Sequence, residues 1–522
     1  MAEEPGRAQA GGEPGGFGAR CHERDARRLG SMMVARKTWQ PGAMGALETL
    51  AALLDRGTFS SWDTAPAEVR QDPAYAAELA TARDKTGLDE SVITGSGRIR
   101  GRPVAVAASE FAFLGGSIGV AEGQRLAAAI DRAAAQRLPL IALPASGGTR
   151  MQEGTAAFLQ MARITAAIGA YRAAHLPYLA YLRHPTTGGV FASWGSLGHI
   201  TAAEPGALIG FLGPRVLSTL HGAPLPEGVQ TAENLHACGL VDAVVEPREL
   251  AGFVDSVLAV ATARRRSVPR PPAGEVQPSP AWESVLRTRS AGRPDVHQLL
   301  AAAGVEVVTL QENTIVLALA RFSGNSCVLV GQDRLAPVPG PAAMRLARRG
   351  MRLAAELRLP LVTVIDTTGA ELSQQAEEGG LAAELAATLA ELVNLDVPTV
   401  SLLLGQGAGG AALALFPADR VLALQHGWLA ALPPEGASAI IYRDAGHAAE
   451  LAARQRICAP DLAADSLVDT LIAEDPQQPG LACERAAAEL AWELGRVVAS
   501  SDGTARLARR LALYRRAGAA RS

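Results

Sequence analysis

Apolar positions along the chain fall into two alternating periods. Stretches with apolar residues at helical spacing, such as 123–136 and 343–357, stop just before a Leu-Pro pair. A short continuous apolar run follows each, 140–143 and 361–365, bounded by proline and a glycine-containing turn, as a buried strand would be. Next come a long alanine-rich helix (154–174; 379–395) and a second buried run (178–182; 399–404). A second glycine turn then opens into another helix (190–194; 411–416). Strands alternating with helices in this way predict an α/β architecture with largely parallel strands.

The pattern occurs twice. Arg137-Leu138-Pro139-Leu140-Ile141 and His175-Leu176-Pro177-Tyr178-Leu179 have counterparts in Arg358-Leu359-Pro360-Leu361-Val362 and Asp396-Val397-Pro398-Thr399-Val400. Pro139 and Pro177 are 38 residues apart, as are Pro360 and Pro398, so the two blocks are offset by 221. That offset carries Gly148 to Gly369, Gly188-Gly189 to Gly409-Gly410 and Gly206 to Gly427 without a gap, which predicts an internal duplication. The blocks span 46–263 and 295–522, and 264–294 is rich in Arg and Pro, as a semi-extended linker is. Residues 1–45 are Gly-, Ala- and Arg-rich without periodicity and read as a disordered tail.

Composition narrows the chemistry. The 522 residues carry a formal net charge of −3, which argues against a nucleic-acid partner. Of 49 basic residues only Lys37 and Lys85 are lysine. Neither follows a GxxxxGK[ST] loop, so a lysine-based phosphate loop is excluded. The five cysteines (Cys21, Cys238, Cys327, Cys458, Cys483) are scattered and form no CxxC, which disfavours a disulfide framework or a cysteine zinc site and fits a reducing, cytoplasmic setting. The first residues lack the apolar core of a signal peptide, and no apolar run is long enough for a membrane span.

The candidate chemistry sits in the glycine turns. Pro185-Thr186-Thr187-Gly188-Gly189 and Gly405-Gln406-Gly407-Ala408-Gly409-Gly410 each follow a buried strand. Such a glycine pair is either a tightly packed turn or a cradle of free N–H groups able to hold an oxyanion. Its duplication at equivalent positions favours the cradle. Ser146-Gly147-Gly148-Thr149-Arg150-Met151-Gln152-Glu153 offers a second cradle or a capped helix start; its counterpart is Asp366-Thr367-Thr368-Gly369-Ala370-Glu371.

These motifs resemble the carboxyltransferases of biotin-dependent acyl-CoA carboxylases. The amino-terminal block is similar to the bacterial β subunit through Phe111-Ala112-Phe113-Leu114-Gly115-Gly116-Ser117, the Ser146 and Pro185 turns, and Ala203-Glu204-Pro205-Gly206-Ala207. The carboxy-terminal block is similar to the α subunit through the Asp366 turn, Gln375-Ala376-Glu377-Glu378-Gly379, the Gly405 turn and Pro434-Glu435-Gly436-Ala437-Ser438. The resemblance covers roughly 47–475 and implies two duplicated crotonase-like (ClpP/crotonase) domains. It implies transfer of a carboxyl group from carboxybiotin, presented by a separate carrier, to the α-carbon of a short acyl-CoA, acetyl-CoA giving malonyl-CoA. Amides of Gly188 and Gly189 would face the thioester oxygen, and those of Gly409, Gly410 and Ala411 the biotin carbonyl. Gly147, Gly148 and Arg150 would meet the CoA thioester. The resemblance also implies a biotin carboxyl carrier protein and a biotin carboxylase as partners, and a trimer-like or hexameric homo-oligomer in which one chain's first block faces another's second. The β subunit's four-cysteine zinc ribbon is missing, with only Cys21 in that region, and Gln406 stands where the family usually has Glu.

Other residues read as structural first. His184 is a capping or packing residue before it is an acid–base group, and Glu377-Glu378 favour the start of the next helix. Arg345, Arg348 and Arg349 form an exposed helix face or meet CoA phosphates; the terminal Arg509-Arg510 and Arg515-Arg516 form a solvated or intersubunit face. Decarboxylation of a carboxyacyl-CoA, or a non-catalytic scaffold, are the alternative functions. Neither lysine has the Met-Lys-Met setting of a biotin-accepting lysine, so the carrier and the ATP-dependent half are expected on other chains.

Overall fold

The computed structural model describes residues 41–42, 44–66, 72–223, 225–263, 266–272, 274–304, 307–475, 477–499 and 502–516. The tail expected over 1–45 lies outside the described residues as far as 40. The next few pack on the first domain: the Gly42 N–H donates to Glu204 at 3.0 Å and the Met44 carbonyl accepts from Arg183 at 2.6 Å.

The first domain is built on a sheet of β1 (Ser60–Ser61), β2 (Val92–Ile99), β3 (Arg102–Ser109), β4 (Leu140–Leu143) and β5 (Tyr178–Leu182). A two-stranded piece of β6 (Thr186–Thr187) and β8 (Ile209–Gly210) flanks it, and β7 (Ile200–Ala203) and β9 (Ala243–Val244) complete the order β1-β2-β3-β4-β5-β7-β9. The second domain arranges β10 (Val307–Glu312), β11 (Ile315–Phe322), β12 (Asn325–Gln332), β13 (Leu361–Thr367), β14 (Thr399–Ala408), β15 (Arg420–Leu424), β16 (Trp428–Ala430) and β17 (Thr470–Ile472) in the same way. Its order is β10-β11-β12-β13-β14-β15-β17, with β16 on β14. In each domain an antiparallel hairpin leads into parallel strands. Each half has the crotonase-like fold.

Strand register tests the duplication directly. Leu140 pairs with Tyr178 and Leu361 with Thr399, both shifted by 221. One strand later Leu182 pairs with Ala203, but Leu403 pairs with Ala423, an offset of 220. The repeat therefore contains a one-residue gap between the glycine turn and the next strand. The expected match of Gly206 to Gly427 is off by one, and only Gly206 has positive φ.

The helix Leu250–Ala261 buries Val254, Val257 and Leu258 in a core shared with Leu317, Leu319, Met344 and Met351, so one apolar core continues from the first domain into the second. Polar pairs rim this junction: Arg172 with Glu356 at 2.5 Å and Arg349 with Asp242 at 2.6 Å. The Pro-rich segment between the blocks is not extended throughout. It contains the helix Ala281–Thr288, whose Val285 and Thr288 are buried against the second domain. Among the described residues no helix is long and apolar enough to cross a membrane.

Candidate active site

Both glycine turns lie beyond the carboxyl ends of parallel strands, where open α/β sheets bind ligands. β5 runs through β6 into the short helix Gly188–Phe191, and β14 runs straight into the helix Gly409–Leu413. Gly188 and Gly409 have φ of +63° and +73°, left-handed backbone that side chains rarely adopt.

The Gly147-Gly148 loop packs against the first turn. A Cβ on Gly188 would sit 3.0 Å from the Gly148 Cα, and one on Gly189 would overlap the Met161 sulfur. Ser146 holds this loop by accepting from the Gly148 N–H at 3.0 Å, and Thr367 does the same for Gly369 at 3.3 Å. The two turns are thus built by the same contacts.

Not every expected donor is free. The Gly188 N–H donates to the Phe211 carbonyl at 3.0 Å, the Gly147 N–H to Gly115 at 2.8 Å, and the Gly148 N–H to Ser146. Gly188 is therefore corrected from donor to turn-former. The amides of Gly189 and Val190, and those of Gly409, Gly410 and Ala411, lie in the first turns of their short helices, where N–H groups have no partner one turn back in the helix. Val190, which the 221 offset makes the counterpart of Ala411, is not among the expected donors of the first turn.

A cavity of about 980 Å³ opens beside the first turn, lined by Gly147, Thr187, Phe111, Leu208, Val216 and Lys85 among others. It is mostly apolar along its walls, with exposed Lys85 bringing a cation to it. The scarcity of lysine limits what lysine chemistry the chain can do; the place of Lys85 in this cleft depends on tertiary structure and leaves no local pattern.

Arg150, expected at the CoA, does not reach this cavity. It is 1% exposed, and its guanidinium donates to Glu90 at 2.6 and 3.1 Å and to the Ser117 carbonyl at 3.0 Å. Glu122 and Glu153 lie 3.9 and 3.4 Å away. Glu153 also accepts from Tyr75 and, at 2.6 Å, from the Val120 N–H. Burial pulls the Arg150 guanidinium down, but Glu90 and Glu122 outweigh it and hold it above its usual range. The loop's own backbone pairs with Ile118: Gly148 accepts from it and the Arg150 N–H donates to it. Arg150 thus supports the Gly147-Gly148 loop from behind. The Arg-carboxylate spacing in the sequence cannot distinguish a buried ion cluster from a ligand clamp.

Burial, helped by Glu90 and opposed by Arg150, pushes Glu122 from 4.5 up to about 8. A folded-state value above the unfolded one stabilises the fold fully below about pH 4.5, and that contribution is lost as pH rises to about 8. Urea unfolding between these limits should show stability falling with pH, and Glu122→Gln should remove that part of the slope. An unchanged slope in the variant would place the titration elsewhere.

Behind the second turn, Asp366 is buried and its Oδ1 accepts from the Gln406 N–H at 2.9 Å. A side chain on Gly405 would overlap that carboxylate. Burial raises Asp366 to about 6 against the pull of Gln406, Arg334 and Arg293. Gln332 links the parts, accepting from the Asp366 N–H at 3.2 Å and donating to the Ala411 carbonyl at 2.9 Å. Gln406 itself accepts from Arg289 at 3.2 Å, and Arg289 forks onto Glu435 at 2.6 and 3.1 Å. A neutral residue at 406 suits an arginine whose charge Glu435 already meets. His184 is a packing residue: its Nδ1 accepts from the Leu208 N–H at 3.1 Å and burial lowers its pKa.

A duplicated crotonase-like fold with equivalent glycine turns is the architecture of an enzyme that transfers a carboxyl group, and the family comparison bears this out. The chain belongs to the carboxyl transferase domain family, whose model matches residues 38–478. It is 56% identical over 485 residues to a protein of Mycobacterium tuberculosis named a probable biotin-dependent acyl-coenzyme A carboxylase beta3 subunit, covering 90% of this chain and 97% of that one. It is 37% identical over 468 residues to the acetyl-coenzyme A carboxylase carboxyl transferase subunits beta/alpha of Salinispora arenicola, covering 83% and 82%. Among solved structures, the transcarboxylase 12S hexamer with methylmalonyl-coenzyme A and methylmalonic acid bound aligns at a TM-score of 0.70 and 22% identity, over 86% of this chain and 89% of that one.

Proposed function

We propose that this chain is the carboxyltransferase component of a biotin-dependent acyl-CoA carboxylase. It moves the carboxyl group from carboxybiotin, held on a separate carrier protein, to the α-carbon of a short acyl-CoA, as in acetyl-CoA to malonyl-CoA. The observation that carries this reading is the pair of equivalent glycine turns opening into short helices, one of them beside a cavity of about 980 Å³. The missing side chains at Gly189 and Gly410 leave these cradles open, which fits a thioester oxygen at one and a urea carbonyl at the other. Bound biotin supplies the carboxyl group and the base for the α-proton.

The chain's own part is positioning and electrostatics. The Gly189 and Val190 amides receive the thioester oxygen as negative charge develops on it. The Gly409, Gly410 and Ala411 amides do the same for the biotin carbonyl. Preorganised donors of this kind act on developing charge without reorganising, and each is typically worth about 2.7–4 kcal/mol of barrier. Gly147 lines the acyl cavity, Gly148 packs behind it on Gly188, and Lys85 meets a CoA phosphate. Lys85→Glu should raise the acyl-CoA KM about tenfold with kcat little changed; an unaltered KM would remove Lys85 from the CoA path.

The two cradles belong to an assembly. Large exposed apolar residues occur in both domains: Phe211 (67% exposed), whose carbonyl meets the Gly188 turn, and Phe158 in the first, Leu372 (92%) and Ile440 (70%) in the second. Isolated exposed apolar residues are common, but several large ones on both domains suit a homo-oligomer whose first and second domains meet between chains.

The experiment is carboxyl transfer with the protein mixed with biotin carboxylase, carboxylated carrier and acetyl- or propionyl-CoA. Formation of malonyl- or methylmalonyl-CoA is expected. Carrier binding without any transfer would favour a scaffold, and carboxyacyl-CoA breakdown without the forward reaction a decarboxylase.

A further inference from the structure

The last two helices, Pro479–Ala499 and Gly503–Arg516, close over the amino-terminal start of β15. Between them lies a pocket of about 480 Å³, lined by Arg420, Arg496, Arg506, Arg509 and Arg510 around Asp419. It is at the far side of the sheet from the glycine turns. Asp419 bonds to Thr399, where β14 begins, whereas the Gly409 helix follows the end of that ten-residue strand, roughly 30 Å away at about 3.3 Å per residue.

The acidic partners do not satisfy this cluster. Asp419 is committed: it accepts from Arg510 at 2.9 and 2.7 Å and from the Thr399 N–H at 2.9 Å. Arg420 pairs with Asp469 and, at 3.2 Å, with Glu493, and Arg496 pairs with Glu493 at 2.8 Å. Arg506 is the least satisfied of these arginines. It is 7% exposed, and its Nε is buried with no hydrogen-bond acceptor among the described residues. Asp419 lies 3.4 Å from its Nε, out of line, and Asp396 only at 4.0 Å from its Nη2. Exposed Arg509 at the rim has no partner among the described residues either.

A buried Nε without an acceptor, on a guanidinium whose Nη groups also donate no hydrogen bond among the described residues, leaves Arg506 able to take a further anion beside its ion pairs with Asp419 and Asp396. Planar arginine forks converging on one hollow match the oxygens of a phosphoryl group, which accept bidentate bonds. The enclosure between two helices suits a small molecule, and its volume exceeds what a lone phosphate fills. We propose that this pocket binds a phosphate-bearing small molecule, with Arg506 and Arg509 as its principal ligands, at a site separate from the carboxyl-transfer centre.

Calorimetric titration of the full chain with inorganic phosphate, pyrophosphate and AMP, at ionic strength fixed with chloride, tests this independently of any transfer assay. Saturable binding of at least one probe, one per chain, is expected, and the strongest probe tells a bare phosphoryl group from a nucleotide. Arg509→Ala, an exposed change that leaves the fold intact, should weaken binding at least tenfold, as should Arg506→Gln. Absence of saturable binding by all three probes, or equal affinity in Arg509→Ala and the parent, would overturn the proposal. So would dissociation of the assembly by Arg509→Glu in sedimentation, which would mean that an acidic group of another copy fills the pocket.

Discussion

Gly189→Ala should lower the carboxyl-transfer kcat by about 10²–10³-fold, the loss expected when one preorganised donor no longer meets its oxyanion. The amide survives the substitution, but its position does not. The new methyl group overlaps the Met161 sulfur and stands 3.1 Å from the Thr149 hydroxyl, so the short helix must move away from the Gly147-Gly148 loop. Met161 is unbranched and adaptable, so the fold survives and circular dichroism should be unchanged. Two controls separate this from general damage. Met161→Ala in the same chain makes room for the methyl group and should restore most of the activity. Gly410→Ala, whose Cβ meets only the Leu385 methyl group at 3.2 Å, should cost much less. Near-normal turnover in Gly189→Ala alone would reject the cradle.

The features legible in the sequence were periodic or repeated. The runs 140–143 and 178–182 are strands with those bounds because proline and glycine punctuate both ends. The strands 361–367 and 399–408 continue past the expected 365 and 404, since Asp366, Thr367 and Gln406 are polar yet buried against one another, and polarity read as a strand end. The helix expected over 154–174 breaks into Gly154–Phe158 and Gln160–Ala173, a bend that alanine-rich sequence does not mark. The glycine turns were visible because they recur at a fixed offset. The use of each amide was not, because Phe211, which engages Gly188, lies 23 residues further on and acts through its carbonyl. The contacts of Arg150 were hidden for the same reason: whether a charged side chain faces a cleft or other charges is set by distant strands.

Arg150→Met should destabilise the protein by about 3–5 kcal/mol, the usual cost of leaving buried charge without its partner. The side chain is the one cation among Glu90, Glu122 and Glu153, each nearly or fully buried. Without it Glu122, already raised by burial, must become neutral to stay inside, so its folded-state pKa rises further above its unfolded one. Stability gained from such groups is present at low pH and lost as pH rises. The deficit of Arg150→Met relative to the parent should therefore be smallest near pH 4.5 and grow towards pH 8, measured as urea midpoints at both ends. Adding Glu90→Gln should recover part of it, and the double-mutant cycle gives the coupling between the two residues. Because Arg150 carries the loop that packs on Gly188, residual activity should fall through kcat, with the acyl-CoA KM little changed. The opposite pattern, intact stability with a raised KM, would return Arg150 to the CoA-binding role that its place in the Ser146–Glu153 motif suggests.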